Sequence, residues 1–230
     1  MDKLLWANED ISYMFRSNIV EYDMQTASLA ISERYGLISP TRLEQLRNMP
    51  KDKRVREIGL LQREDKAFSN GLLKGIIKTR QEFIDTNHID ESSILCAHSD
   101  AIIFNMTSPI TDKIANVNFV MKGNWTSYLR YDGIEIYYGD GAIEYKGCSK
   151  ELLKMHTLGI NKYLLQIFEM MERCDDSVIP FMRKFQKKYL QDKLPEYYYT
   201  SFGKIGQYKM ENLKLFAFVA NAVMGDMYEW

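Results

Sequence analysis

Two aspartates lie where short apolar segments end or are interrupted. Asp23 closes the segment NIVEYD, and Asp100 sits at the polar tip of ILCAHSDAIIF. An ionised carboxylate beside a buried strand is costly unless it is paired, hydrogen-bonded or bound to a metal. Two such aspartates on neighbouring strand ends could bind divalent cations, which is what phosphoryl and nucleotidyl transfer require. Mg²⁺ suits such a site because it binds a few carboxylates, water and substrate phosphates.

Each aspartate also has a purely structural explanation. Asp23 could cap a helix that begins at Met24, because aspartate is a favoured N-cap residue. Asp100 could be the turn residue of a β-hairpin. Spacing alone leaves the metal-binding and structural explanations open for both residues.

A charged segment between the two aspartates could contact phosphates. Arg63 and Lys66 are three residues apart, so they share one face of a helix, and Arg54 and Arg56 lie on the adjoining stretch. These cations could stabilise the charge of a triphosphate. They could equally form a solvated helix face with acidic partners nearby. Those partners would be Glu57, Glu64 and Asp65.

Composition restricts the class of protein. Hydrophobic residues make up 46% and charged residues 27% of the 230 residues, which is typical of a soluble globular protein. The net charge of −1 gives no overall attraction to nucleic acid, so such binding would need a local basic surface.

The sequence also predicts a location. The first residues lack the apolar core of a signal peptide, and the longest apolar run, LFAFVANAVMG, is too short to span a bilayer. Three cysteines in no paired spacing (Cys96, Cys148 and Cys174) predict free thiols in a reducing compartment. We therefore expect a cytoplasmic protein with no membrane partner, and a viral origin is compatible with this.

The first half of the chain predicts a strand, then helices. Residues 18–31 have the pattern of a strand that leads into a helix, and the pattern from Ser39 to about Asn87 is helical. The motif NMPKDK predicts a break between two helices. Apolar residues recur in this region at steps of three and four. They include Ile58, Leu61, Phe68, Leu72, Ile76 and Phe83.

The second half predicts an antiparallel sheet followed by helices. SILCAHSDAIIF predicts a pair of strands around a polar tip, and the segments VNFVMKG, WTSYLRYDG, IEIYYGDG and AIEYKG predict a meander with Gly or Asp-Gly turns. Helical spacing returns from about residue 149 onward. The predicted fold class is α+β, with an antiparallel sheet, a helical insertion and a helical C-terminal region.

Four segments, in the same order, resemble motifs of family B DNA polymerases. The first palm motif of that family reads D-x-x-S-L-Y-P-S, and YDMQTASLAIS places Asp23 on its metal-binding aspartate. The fingers motif K-x-x-x-N-S-x-Y-G matches KAFSNGLLKG at Lys66 and Asn70. The third motif, D-T-D-S after an apolar strand, matches ILCAHSDAIIF, with Asp100 on the second aspartate and His98 on the first.

Further matches and departures lie along residues 18–155. Tyr128 and the pair Lys146-Gly147 match a tyrosine-containing strand and a K-G pair of the family. Ser28 replaces the tyrosine that excludes ribonucleotides, so sugar selection should be weak. His98 replaces an aspartate, and since imidazole suits softer metals than Mg²⁺, Mn²⁺ should support more activity.

The resemblance implies a domain layout and a set of site residues. It implies a palm-like core (1–38 and 88–148), a fingers-like insertion (39–87) and a thumb-like region (149–230). The implied catalytic residues are Asp23 and Asp100, and the implied ligands of Mg²⁺ or Mn²⁺ are Asp23, Met24, Asp100 and His98. The implied nucleotide-binding residues are Arg54, Arg63, Lys66, Asn70 and Ser28.

Nucleic-acid contacts are expected at Tyr128 and Lys146 and in the segment RKFQKKYLQDK. In this segment Lys184, Lys187 and Lys188 could follow a nucleic-acid backbone while Phe185 and Tyr189 face a base or the core. An ordinary amphipathic surface helix explains the same pattern.

The predicted function is template-directed nucleotidyl transfer by a minimal DNA polymerase core with a two-metal mechanism. Its partners would be primer–template DNA, nucleoside triphosphates and proteins of a replication complex. The alternative is a non-catalytic nucleic-acid-binding or replication-associated interaction protein derived from a polymerase palm. Asp23, Asp100 and Lys66 favour catalysis, whereas His98 and Ser28 favour the alternative.

Overall fold

The computed structural model describes residues 3–147, 150–201, 204–205 and 209–228. The strands are β1 (Leu5–Ala7), β2 (Tyr13–Met14), β3 (Ile19–Met24), β4 (Ile94–His98), β5 (Ala101–Asn105), β6 (Lys113–Ile114), β7 (Val117–Trp125), β8 (Ser127–Tyr131), β9 (Ile134–Gly139), β10 (Ala142–Lys146), β11 (Thr200–Ser201) and β12 (Lys204–Ile205). The helices are α1 (Ala27–Arg34), α2 (Pro40–Arg47), α3 (Lys51–Glu64), α4 (Lys66–Thr86), α5 (Lys150–Glu172), α6 (Val178–Leu190) and α7 (Lys209–Tyr228).

The predicted α+β class is confirmed. Antiparallel strand pairs form the sheets, helices α2–α4 are inserted between β3 and β4, and helices follow the meander toward the C-terminus. Of the cysteines predicted as free thiols, Cys96 is a buried and Cys174 an exposed free cysteine. Cys148 lies outside the described residues.

The strand that carries Asp23 continues past it. Strand β3 ends at Met24, and α1 begins at Ala27 with Thr26 as its N-cap residue. The structural explanation of Asp23 as a helix cap is therefore wrong. Asp23 is a strand residue, and its carboxyl group needs another partner.

The inserted helices differ from the prediction at one residue. Pro50 separates α2 from α3 as the NMPKDK motif predicts, but the long helical pattern after it is divided at Asp65. The Asp65 carboxylate accepts hydrogen bonds from the main-chain N–H groups of Ala67 (2.8 Å) and Phe68 (2.9 Å). This N-cap satisfies donors that the first turn of α4 would otherwise leave without partners.

The chain forms two compact units. The first unit comprises Met1–Asn8 and Val20–Asn124, and the second comprises Glu9–Ile19 and Trp125–Trp230. The predicted palm-like segment 88–148 is shared between them, so this grouping does not coincide with the three regions that the resemblance implies.

The first unit is built on a sheet with the strand order β1-β4-β5-β3-β7-β6. Strands β4 and β5 are almost wholly buried, as expected for short, continuous apolar runs. Helix α4 contributes a buried apolar face to the core, and its Phe83 ring stacks on Phe119 with the centroids 4.1 Å apart. Glycine is required at position 75, where a Cβ atom would lie 2.5 Å from Cγ2 of Ile31 in α1.

The second unit has a sheet with the strand order β10-β9-β8-β2. Its core is aromatic: Tyr163 packs against Phe185 (4.5 Å between centroids) and Phe216 (4.7 Å). Helix α6 is amphipathic, with Phe185 and Tyr189 buried on its apolar face.

Candidate metal centre

The sheet of the first unit brings Asp23 and Asp100 together. Strand β5 lies beside β3, and the main-chain N–H of Met24 donates to the carbonyl oxygen of Asp100 at 3.2 Å. The side chains of Asp23 and Asp100 also interact, because the Asp100 carboxyl group is one of the causes that raise the pKa of Asp23. These two residues, which are 77 positions apart in the sequence, therefore form one carboxyl pair.

Asp100 is also a turn residue. Residues Ser99 and Asp100 connect β4 to β5, with His98 paired to Ala101, and Ser99 adopts a left-handed conformation with φ of 56°. The main-chain N–H of Ser99 donates to the carbonyl of Leu4 at 3.0 Å, which fixes the turn against the N-terminal segment. The turn explanation and the carboxyl pair thus describe the same residue.

The electrostatic environment of Asp23 is that of two carboxyl groups in one place. Burial, the charges of Asp100 and Glu21, and the hydrogen bond with Asp100 raise the pKa of Asp23 to about 6, and the charge of Lys122 opposes this rise. Neighbouring carboxylates disfavour each other's ionised form, so one of them takes up a proton more readily. A divalent cation would reverse this preference by favouring both charges.

Arg80 supports the pair from the interior. Its side chain is fully buried, and its guanidinium donates to the carbonyl oxygens of Ser99 (2.7 Å), Leu4 (3.0 Å) and Lys3. Burial lowers the pKa of Arg80, and the charge of Asp100 acts against that shift. Arg80 therefore holds the β4–β5 turn in place and partly balances the negative charge of Asp100.

The donors at this place fit a hard divalent cation. Asp23 and Asp100 each supply carboxylate oxygens at this place. Mg²⁺ and Mn²⁺ prefer such oxygen ligands. Met24 has a buried thioether, which suits soft metals, so that only its carbonyl oxygen could contribute to an oxygen-ligand site.

His98 lies one strand further from Asp23 than β5 does. Strand β5 lies between β4 and β3, which places the His98 backbone roughly 10 Å from β3 at the usual strand spacing. Its Nε2 atom lies 3.3 Å from Sγ of Cys96. The preference for Mn²⁺ over Mg²⁺ that the resemblance implies stays a prediction.

The residues predicted to bind nucleotide are dispersed over the helices of the first unit. Arg63, Lys66 and Asn70 are exposed near the junction of α3 and α4, and Ser28 is half-buried in α1. Arg54 lines a cavity at the amino end of α1. Glu57, one of the acidic partners considered for these cations, accepts a hydrogen bond from Arg42 at 2.7 Å.

The residues predicted to contact nucleic acid also differ in placement. Tyr128 is fully buried, with its ring 5.1 Å from that of Tyr137, and this position does not fit a nucleic-acid contact. The Lys146 ammonium lies over the rings of Trp125 (4.9 Å) and Tyr137 (5.5 Å). The α6 lysines are exposed, whereas the aromatic residues between them face the core. These lysines are Lys184, Lys187 and Lys188.

Sequence reasoning missed three charged residues around the pair. Arg80 follows Ile76 by four residues on the mainly apolar buried face of α4, and a cation at such a position indicates a buried partner. Glu21 could have been found from its spacing of two residues from Asp23. For Lys122 the sequence holds no comparable indication, because its place depends on which strand lies beside β3.

The family of the chain follows from its sequence as a whole. The family described as Bacteriophage PBS1 gene 130 protein matches residues 1–229. The chain belongs to this family. A search of curated proteins finds no match to the chain. Within the described residues of this family member, no helix has the length and apolar character needed to cross a membrane.

Proposed function

We propose that the protein catalyses nucleotidyl transfer that depends on a divalent cation bound by Asp23 and Asp100. The observation that supports this most is the carboxyl pair itself: the sheet places Asp100 beside β3, and burial and Asp100 raise the pKa of Asp23 to about 6. A carboxyl group whose pKa is perturbed by burial and by a second carboxyl group is typical of a functional site. The order of the polymerase-like motifs makes template-directed addition of nucleotides to a primer the specific form of this proposal.

The residues around the pair have separate roles in this proposal. Asp23 and Asp100 would hold Mg²⁺ or Mn²⁺, and Arg80 keeps the turn that carries Asp100 in position. A bound cation would activate a hydroxyl nucleophile and neutralise phosphate charge. Lys66 and Arg63 are exposed cations that could contact the triphosphate of an incoming nucleotide.

A second candidate function is nucleic-acid binding without catalysis. The observation that favours it is the basic face of α6, where exposed lysines stand opposite the buried Phe185 and Tyr189. Such a face could contact a phosphate backbone whatever its sequence. In either form, the phage family is compatible with action in the cytoplasm of an infected bacterium, beside proteins of a replication complex.

Primer extension distinguishes these functions. Wild-type protein is incubated with a primer–template and all nucleoside triphosphates, with Mg²⁺ and Mn²⁺ in separate reactions. We expect extension that Asp100→Asn reduces by at least about 100-fold, since a transition-state interaction is lost. Asp140→Asn, a substitution at an exposed turn far along the chain, is the matched control and should retain activity.

The same assay can reject the enzyme. If DNA and RNA primers are not extended with either cation while the protein still binds the primer–template, the non-catalytic function is correct. If Asp100→Asn and Asp140→Asn extend primers equally well, catalysis does not occur at the carboxyl pair.

A further inference from the structure

A second polar site lies in the first unit. A cavity of about 250 Å³ opens beside the amino end of α1 and is lined mainly by charged and amide side chains. Neither Asp23 nor Asp100 lines it. The cavity therefore needs its own explanation.

The charges in this cavity do not cancel. Arg47 forms an ion pair with Glu33 at 2.6 Å, and Asn116 donates a hydrogen bond to the same carboxylate at 3.2 Å. The hydrogen bond from Arg47 is the main cause that lowers the pKa of Glu33. Arg54 also lines the cavity and forms no ion pair within the described part of the chain. Two guanidinium groups and one carboxylate leave a net positive charge, which Arg54 carries.

Three residues with amide side chains share this cavity with Arg54. The side-chain amides of Gln25, Asn116 and Asn118 line the cavity. The backbone there is fixed, because the N–H of Gln25 donates to the carbonyl of Asn118 at 2.8 Å. Amide groups held on a strand and on the segment after β3 can donate to an oxyanion without a large rearrangement.

The amino end of α1 faces the same cavity. Thr26, its N-cap residue, lines the cavity and makes no side-chain cap hydrogen bond. The N–H groups of Leu29 and Ala30 donate to the carbonyl oxygen of Thr26 at 2.9 and 3.1 Å, so the contribution of this helix end is its dipole, which favours negative charge here. This adds to the attraction that Arg54 and the amides exert on an anion.

We propose that this cavity binds the diphosphate or triphosphate group of a small phosphorylated ligand. A guanidinium group with amide donors is suited to phosphate oxygens. A volume of about 250 Å³ is below the range of about 300–1,000 Å³ that is usual for pockets of drug-sized ligands. It suits the polyphosphate group better than a whole nucleotide. This binding does not require a metal at Asp23 and Asp100.

The test measures binding of inorganic pyrophosphate by calorimetry, in a chelator and without divalent cations. Arg54→Gln should weaken binding by about tenfold or more, because a charge-assisted contact is lost. Arg56→Gln is the matched control: Arg56 is exposed on the same helix, does not line the cavity, and its loss should change binding by no more than about twofold. Asn118→Ala should weaken binding several-fold through the loss of an amide donor.

Two further ligands and one further variant show which kind of phosphate compound the cavity binds. A nucleoside triphosphate should bind with the same dependence on Arg54, whereas a duplex oligonucleotide should not require Arg54. Three results would each overturn the proposal. They are binding of the oligonucleotide but of no small phosphate ligand by wild-type protein, no pyrophosphate binding by wild-type protein, and equal weakening of pyrophosphate binding by Arg54→Gln and Arg56→Gln. Asp100→Asn should bind pyrophosphate normally, so that failure of the catalytic proposal and failure of this one give different results. Far-UV circular dichroism and urea denaturation verify that each variant is folded.

Discussion

Replacement of Asp23 by asparagine should stabilise the protein in the absence of metal. Asparagine preserves the shape of the side chain, but it removes a charge that is disfavoured first by burial and then by the charges of Asp100 and Glu21. The pKa of Asp23 is about 6 in the folded protein and 3.8 in its ordinary state, so the folded protein binds this proton more tightly. Wild-type stability therefore falls as the pH rises from about 4 through 6, and Asp23→Asn avoids that loss.

The size of the effect follows from the same shift. A difference of about two pKa units corresponds to about 3 kcal/mol in the free energy of unfolding when solvent screening is ignored. Asp23 is only half-buried, so solvent screening reduces this to about 1–2 kcal/mol. For a protein of this length such a gain raises the melting temperature by about 2–8 °C at pH 8.

The assay is thermal denaturation in a chelator at pH 4.5, 6 and 8. The melting temperature of Asp23→Asn should exceed that of wild type slightly at pH 4.5 and most at pH 8. Asp140→Asn, at an exposed turn, is the control and should match wild type at every pH. An Asp23→Asn variant that is less stable than wild type at pH 8, or whose gain in stability is the same at all three pH values, would refute the raised pKa of Asp23 that burial and Asp100 produce.

Two other predictions concern packing and nucleic-acid binding. Gly75→Ala should lower the free energy of unfolding, measured by urea denaturation, by about 1–3 kcal/mol, because the new Cβ would lie 2.5 Å from Ile31. The control is Gly59→Ala in α3, where a Cβ would have nothing within 4 Å, and this change should raise the free energy of unfolding by up to about 1 kcal/mol. Equal effects would contradict the close approach of α1 to α4. Glutamine at the three exposed α6 lysines should weaken duplex binding and reduce its salt-dependence slope by about one unit for each lost phosphate contact. The replaced residues are Lys184, Lys187 and Lys188. A control variant carries glutamine at Lys51, Lys53 and Lys113. The same salt-dependence slope of duplex binding in both variants would exclude α6 as the contact surface.

Local patterns in the sequence predict most of the elements of the fold. The apolar run before Asp23 and the paired runs around Asp100 correspond to β3 and the β4–β5 hairpin. The break at Asp65 is less visible, because apolar residues recur at helical spacing on both sides of it. It depends on a side-chain cap that competes with continuation of the helix. The division into two units depends on pairings between distant residues, such as Tyr13 with Leu129, which no local pattern reveals.

The candidate site is predictable only in part for the same reason. Asp23 and Asp100 are found because a carboxylate in an apolar setting needs a partner, and the sheet supplies one. His98 has a suitable side chain, but the strand order β4-β5-β3 separates it from Asp23. Tyr128 shows that residue type does not distinguish a stacking surface from a buried ring. Arg80 could have been recognised as a buried cation, although its hydrogen bonds to main-chain carbonyls could not.

Binding of Mn²⁺ measured by electron paramagnetic resonance tests the central proposal most directly. Wild-type protein, Asp100→Asn and the control Asp140→Asn are titrated with Mn²⁺ at pH 8, which is above the pKa of Asp23 of about 6. We expect wild type and Asp140→Asn to bind Mn²⁺ alike, and Asp100→Asn to bind it at least about tenfold more weakly, because a ligand is removed. Equal Mn²⁺ affinity in wild type and Asp100→Asn would contradict a metal site at Asp23 and Asp100.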